Sequence, residues 1–228
     1  FLRDRCTVNA NVYAAGSISK QNQVVVTGGQ YPNVAIAPEV IEIKTVTPGT
    51  QNFNLYNGNH LILAPGAYGD MHLYDGSSLT LSEGVYSFRT FVMEAGNAAL
   101  NFNPDEGFIE VNVSGELRFG DRNQFILAGE ADPVQVQFYT NGTNQVKVGT
   151  DSTFNGVITA PNAQVYVFSR VTVNGALYGK QVWVDADAKV NFYPNCTEYN
   201  TDMDDSATVA MCNALSFEEL AWTPISGG

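Results

Sequence analysis

The sequence predicts an all-β chain wound as a parallel β-solenoid. Phe154–Phe192 carries one pattern twice: FNG at Phe154–Gly156 returns as VNG at Val173–Gly175, and the alternating pair Val165, Val167 returns as Val182, Val184. The steps are 19 and 17 residues, too short for a helical-pair repeat and suited to one coil of a solenoid. A similar unit lies upstream, where Gly66, Tyr68 and Leu73 recur as Gly84, Tyr86 and Phe91 at a step of 18, and Leu79 and Leu81 as Leu100 and Phe102 at a step of 21. Composition agrees. The 228 residues include 21 Gly and 44% hydrophobic residues but only 15% charged ones, which suits many turns around an apolar interior. A single coil cannot bury its inward face; stacked on the next coil, it can.

In chain order, Phe1–Arg5 is a charged lead-in, and Val8–Ile18 and Gln23–Gly29 are β-runs about a polar Ser19–Asn22 turn. The first of these, Asn9–Ile18, looks like a variant of Val173–Val182. Tyr31–Pro38, with two prolines, reads as loop. Val40–Val46 alternates, Ile41 and Ile43 to one side and Glu42 and Lys44 to the other. Thr47–Asn59 is a connector, and His60–Phe102 holds two coils. After the Asn103–Gly107 turn come FIEVNV, GELRFG and FILAG, then Pro133–Tyr139, Gln145–Val148 and the closing coils. Beyond Pro194 the chain turns acidic, and Ala207–Ala221 reads as a capping helix or a tail. The expected division is a β-helix domain over 1–194 and a cysteine-bearing tail over 195–228. A start at Phe1 with no initiator Met predicts a segment of a longer product.

The carboxy-terminal half supports a family resemblance. Gly156–Val165 and Gly175–Val184 fill a pair of coil motifs, GVITAPNAQV and GALYGKQVWV. They resemble the closing coils of right-handed parallel β-helix domains in bacterial surface and pilus-associated, adhesin-like proteins. The likeness runs over 134–192 and extends to 60–102. It implies an exported adhesive or filament-associated module without catalysis.

Net charge is −12 and the 11 basic residues are scattered, so neither nucleic acid nor an anionic membrane surface is an expected partner. No apolar run reaches the length of a membrane span. The three cysteines, Cys6, Cys196 and Cys212, have no metal-ligand spacing. A Cys196–Cys212 bridge would close a loop with a chain-entropy contribution of roughly 3 kcal/mol and would imply an oxidising, extracellular location; reduced thiols are the alternative. With Cys6 ahead of the first coil and the other two after the last, the bridge leaves Cys6 for an intermolecular bond. End-to-end stacking of copies, a heterologous contact that does not close, would bring Cys6 near a neighbour's Cys196 or Cys212.

Asp202, Asp204 and Asp205 resemble part of a calcium loop, without the glycine and distal glutamate of an EF-hand; a solvated acidic loop is the alternative. Carbohydrate cleavage needs convergent carboxylates. Asp185 and Asp187 share a face if their strand is continuous, but WVDADAKV reads equally as strand, acidic turn and strand. His60 and His72 lack a nucleophile elbow. Tyr13, Tyr68, Tyr74, Tyr86, Tyr139, Tyr166 and Tyr178 with Trp183 either pack inside or form a platform for a surface glycan. A regular threonine ladder suited to ice is not expected, because Thr172 shows no counterpart one coil on. Asn112, Asn141 and Asn195 open glycosylation sequons. The expected protein is a non-enzymatic extracellular β-helix, a filament subunit or adhesive module, with a carbohydrate-binding or carbohydrate-cleaving β-helix as the alternative.

Overall fold

A computed structural model describes residues 2–9, 11–13, 17–34, 43–105 and 107–193. The chain opens with β1 (Thr7–Asn9), β2 (Val12–Tyr13), β3 (Val25–Val26) and β4 (Gln30–Tyr31). A coil of β5 (Phe53–Leu55), β6 (His60–Leu63) and β7 (Gly66–Ala67) follows. The next coils are β8 (Asp70–Leu73), β9 (Ser78–Ser82) and β10 (Gly84–Phe88), then β11 (Thr90–Met93), β12 (Ala99–Asn103) and β13 (Ile109–Val113). The series continues with β14 (Leu117–Phe119), β15 (Gln124–Leu127) and β16 (Val136–Thr140), and β17 (Val146–Val148) begins another coil. The long β18 (Thr153–Val167) and β19 (Thr172–Val184) turn corners without a break, and β20 (Lys189–Phe192) ends the series.

All pairings are parallel, as the sequence predicts, and they stack into three faces. The first face runs β5, β8, β11, β14, β17, then 165–167 of β18 and 182–184 of β19. The second runs β6, β9, β12, β15, then the starts of β18 and β19, and β20. The third runs β7, β10, β13, β16 and the middles of β18 and β19. Val165 pairs with Val182 and Val167 with Val184; Val165, Val167 and Val184 are buried, and half-buried Val182 packs on the same core. Mid-stack, the interior is aromatic. Phe119 meets Phe125 at 5.0 Å and Phe138 at 5.1 Å, both edge to face, a preferred ring geometry.

Two expectations of register and position are corrected. In the upstream coils Gly66 pairs with Tyr86 and Met71 with Phe91, a step of 20 where residue types suggested 18. The two-residue error keeps every side chain on its side of the sheet, because the strand period is two. The step of 21 between Leu79 and Leu100 and between Leu81 and Phe102 is as read.

The larger correction concerns the amino terminus. It does not begin the stack. β1 pairs with β20 and then with β3, while Leu2 bridges Val184 on one side and Lys20 on the other. The described residues between 2 and 34 thus lie on the carboxy-terminal coil, and Leu2, Cys6 and Val8 are buried there. Cys6 and the end of β20 are at the same end of the stack, not at opposite ends. The chain then reaches the lower coils by a strap. Residues 43–49 are not a sheet strand; Lys44 crosses the outside of the third face, and the Gly49 N–H donates to Tyr68 O at 2.9 Å.

Candidate functional site

The corner between the first and second faces holds the seam where amino and carboxy ends meet. Several coils turn there through a residue with positive φ, among them Gly58 and Gly76 low in the stack, then Arg122, Asp151, Arg170, Asp187 and Arg5. The non-glycine members stack in alternating charge. Arg170 grips Asp151 with Nε at 2.6 Å and Nη2 at 2.9 Å, and Arg5 grips Asp187 at 2.6 and 2.8 Å. These fork-shaped hydrogen bonds, and the charges behind them, hold the Asp151 and Asp187 carboxyls below the usual carboxylate range. Asp185 takes Arg3 at 3.3 Å and the Tyr166 hydroxyl at 3.3 Å. Asp185 and Asp187 therefore lie in a turn after β19, the second of the two sequence readings, and both are engaged across the seam.

The seam has backbone bonds as well, Thr7 N–H to Ala188 O at 2.9 Å and Arg3 N–H to Val184 O at 3.2 Å. Outward asparagines on the second face add a ladder, Asn155–Asn174–Asn191–Asn9, with each amide donating to the previous side chain at 2.8 Å. Beside it, Thr172 meets Lys189 one coil on, as expected, while Thr153 is its register partner one coil back, and Lys189 then stands between Thr172 and Thr7. Sequence reading missed both the charge column and the amide ladder. Their signal was available in the i, i+19 spacing of Asp151 with Arg170 and of Asn155 with Asn174, but Arg5 and Asn9 lack it because their partners lie 182 residues away.

The aromatic side chains expected either in the core or on a platform divide between the two, with Tyr68, Tyr74, Tyr166, Tyr178 and Trp183 half-buried; the side chain of Tyr13 lies outside the described residues. Tyr86 and Tyr139 are buried. Trp183 stacks on Tyr166 at 5.9 Å, and the Arg3 guanidinium lies 5.9 Å from the Trp183 ring. His60 bonds Ser78 Oγ at 2.8 Å on the second face, whereas His72 lies near Tyr74 on the first, at 6.4 Å; the two do not converge. Cys6 is fully buried, and burial pushes its thiol pKa up. A bond from Cys6 to another copy therefore requires this coil to open. Cys196, Cys212, Asp202, Asp204, Asp205, Asn195 and the expected helix over 207–221 lie outside the described residues.

The two ends of the stack are the most chemically distinctive surfaces. Among the described residues, β5, β6 and β7 pair on one side only, and so do β3 and β4. Apolar side chains mark both ends. Ile62 is 71% and Tyr56 57% exposed below, and Val25 is 50% and Tyr31 43% exposed above. Tyr56 stacks on Tyr74 at 4.8 Å from the lower side.

With that geometry in hand, comparison with known proteins adds little about chemistry. Residues 117–198 match a family described as a domain of unknown function (DUF7305), a stretch that starts at β14. No curated protein matches. A similar solved structure is the ice-binding protein of the Antarctic ascomycete Antarctomyces psychrotrophicus. It has a TM-score of 0.49 and 14% identity, over 83% of this chain and 88% of that one. A likeness at that level carries no functional conclusion. Among the described residues no helix is long and apolar enough to cross a membrane.

Proposed function

We propose that this chain is a non-catalytic structural module that works outside the cell and assembles end to end, the upper coil of one copy resting on the lower coil of the next. The carrying observation is the pair of parallel, partly apolar edges at opposite ends of one stack that no strand covers among the described residues. Such an edge is a template for another strand. Because every coil runs in the same sense, a second copy can continue the parallel pairing, with β3 set against β6. The contact is heterologous and propagates. An exported, surface-associated setting is supported by the coil motifs at 156–165 and 175–184. The engagement of Asp185 and Asp187 with Arg3 and Arg5 favours a structural role over a cleaving one for those carboxylates.

Sedimentation velocity over a range of concentrations tests the reading. The wild type should form a series of larger species, and Ile62→Lys, which places a charge on the lower edge, should reduce that series to monomer with an unchanged circular-dichroism spectrum. A wild type that stays monomeric throughout, or an Ile62→Lys variant that assembles equally, overturns it.

A further inference from the structure

Where the strap crosses the third face it meets a cluster that neither the stacking nor the end surfaces explain. The Lys44 Nζ donates to Glu110 Oε2 at 2.8 Å, and the Asn112 Nδ2 donates to Glu110 Oε1 at 2.7 Å. Glu110 and Asn112 are two apart on β13 and so share its outward side. Asn112 is nevertheless only 6% exposed, and its Oδ1 is buried without a partner. Tyr139, the register partner of Asn112 one coil on, is buried with its ring 5.8 Å from the Lys44 ammonium. The Lys44 backbone is pinned on both sides: its N–H donates to Tyr139 Oη at 2.8 Å and its carbonyl accepts from Asn141 Nδ2 at 3.3 Å.

We propose that Lys44 and Asn112 join in an intramolecular isopeptide bond, with Glu110 as the proton shuttle. An amine and a carboxamide held by one carboxylate are reactants and general base in place. Glu110 takes a proton from the Lys44 ammonium across the hydrogen bond, leaving a neutral amine. Nζ attacks Asn112 Cγ. Glu110 returns its proton to Nδ2, the Cγ–Nδ2 bond breaks, and the remaining amine proton leaves with the ammonia as ammonium. One C–N bond forms, one breaks, and nothing is oxidised or reduced.

The orphaned Oδ1 supports this chemistry. A half-turn of the Asn112 amide exchanges Nδ2 and Oδ1, and the protonated Glu110 then donates to Oδ1 and polarises Cγ. An ordinary ion pair needs no buried carboxamide beside it, and an unpaired buried carbonyl is costly. Burial pushes the Glu110 carboxyl up, but the Lys44 and Asn112 hydrogen bonds more than reverse this, so Glu110 rests as the carboxylate and the reaction proceeds through the neutral tautomer of the pair. The product ties the strap, and with it the amino-terminal coils, to β13. It also uses the sequon asparagine Asn112, which is too buried to accept a glycan.

Mass spectrometry of the purified full chain decides the matter. The expected intact mass is lower than calculated by one ammonia, ~17 Da. Trypsin should fail to cut after Lys44 and should yield residues 21–89 joined to 90–118. Glu110→Gln and Lys44→Arg should each restore the full mass and, in the Glu110→Gln variant, cleavage after Lys44. A wild type of full mass overturns the proposal, and so does a lighter one still cut at Lys44, whose ammonia was lost elsewhere. A linked peptide persisting in Glu110→Gln overturns the role given to Glu110. The wild-type measurement stands whether or not the variants fold.

Discussion

At the scale of single residues, close stacking leaves no freedom at a few positions. Gly156 and Gly175 are register partners with φ of 150° and 143°, and a Cβ on Gly175 would lie 1.8 Å from Gly156 O. Gly175→Ala combines backbone strain with a clash against main chain that cannot move aside. It should destabilise the fold by more than about 2 kcal/mol in denaturant titration; a loss within error of zero would contradict the stacking described. The repeated NG was legible in the sequence as a marker of the coil. Its physical reason, one glycine backbone lying on another, was not, since it depends on which coil sits above which. The same limit hid Glu110 and Asn112, whose outward pattern in FIEVNV says nothing of a strap passing over them.

At the scale of elements, what the sequence made legible was local. Inward valines, turn positions and coil length over 154–192 follow from a pattern repeated between neighbours in the chain. The seam between β20 and β1 has no such neighbour, and nothing in residues 2–34 states that they stack on residues 182–192. The charge column supplies part of that specificity, which makes the seam sensitive to pH. Asp187 and Asp151 have carboxyl pKa values lowered by Arg5 and Arg170. A lowered carboxyl pKa stabilises the closed form fully above the ordinary carboxylate range, and the contribution is lost as pH falls through the lowered values. Acidification should therefore loosen β1 before the aromatic middle of the stack. Hydrogen exchange, corrected for its intrinsic pH dependence, should show protection falling at Val8 and Asn9 while Phe119 and Phe138 keep theirs. Uniform loss across the chain would contradict a seam held by these pairs. High salt should act in the same direction, because the partners are exposed and screened.

At the scale of the whole molecule, the stack is a rod with two unlike ends that can continue each other. In such a polymer Val25, the outermost described residue of its column on the second face, would stand over His60 of the next copy, since that column runs from His60 through Ser78, Ala99, Gln124, Thr153, Thr172, Lys189 and Thr7 to Val25. In-register parallel neighbours are about 4.8 Å apart, within the Cα separation that a disulfide spans. The most direct measurement is oxidation of a Val25→Cys, His60→Cys double variant carrying Cys6→Ser, read on a non-reducing gel. End-to-end assembly predicts a ladder of covalent multimers that collapses on reduction, while an equimolar mixture of the two single cysteine variants stops at dimers. A double variant that stays monomeric under oxidation, at concentrations where the wild type is expected to assemble, would contradict the account.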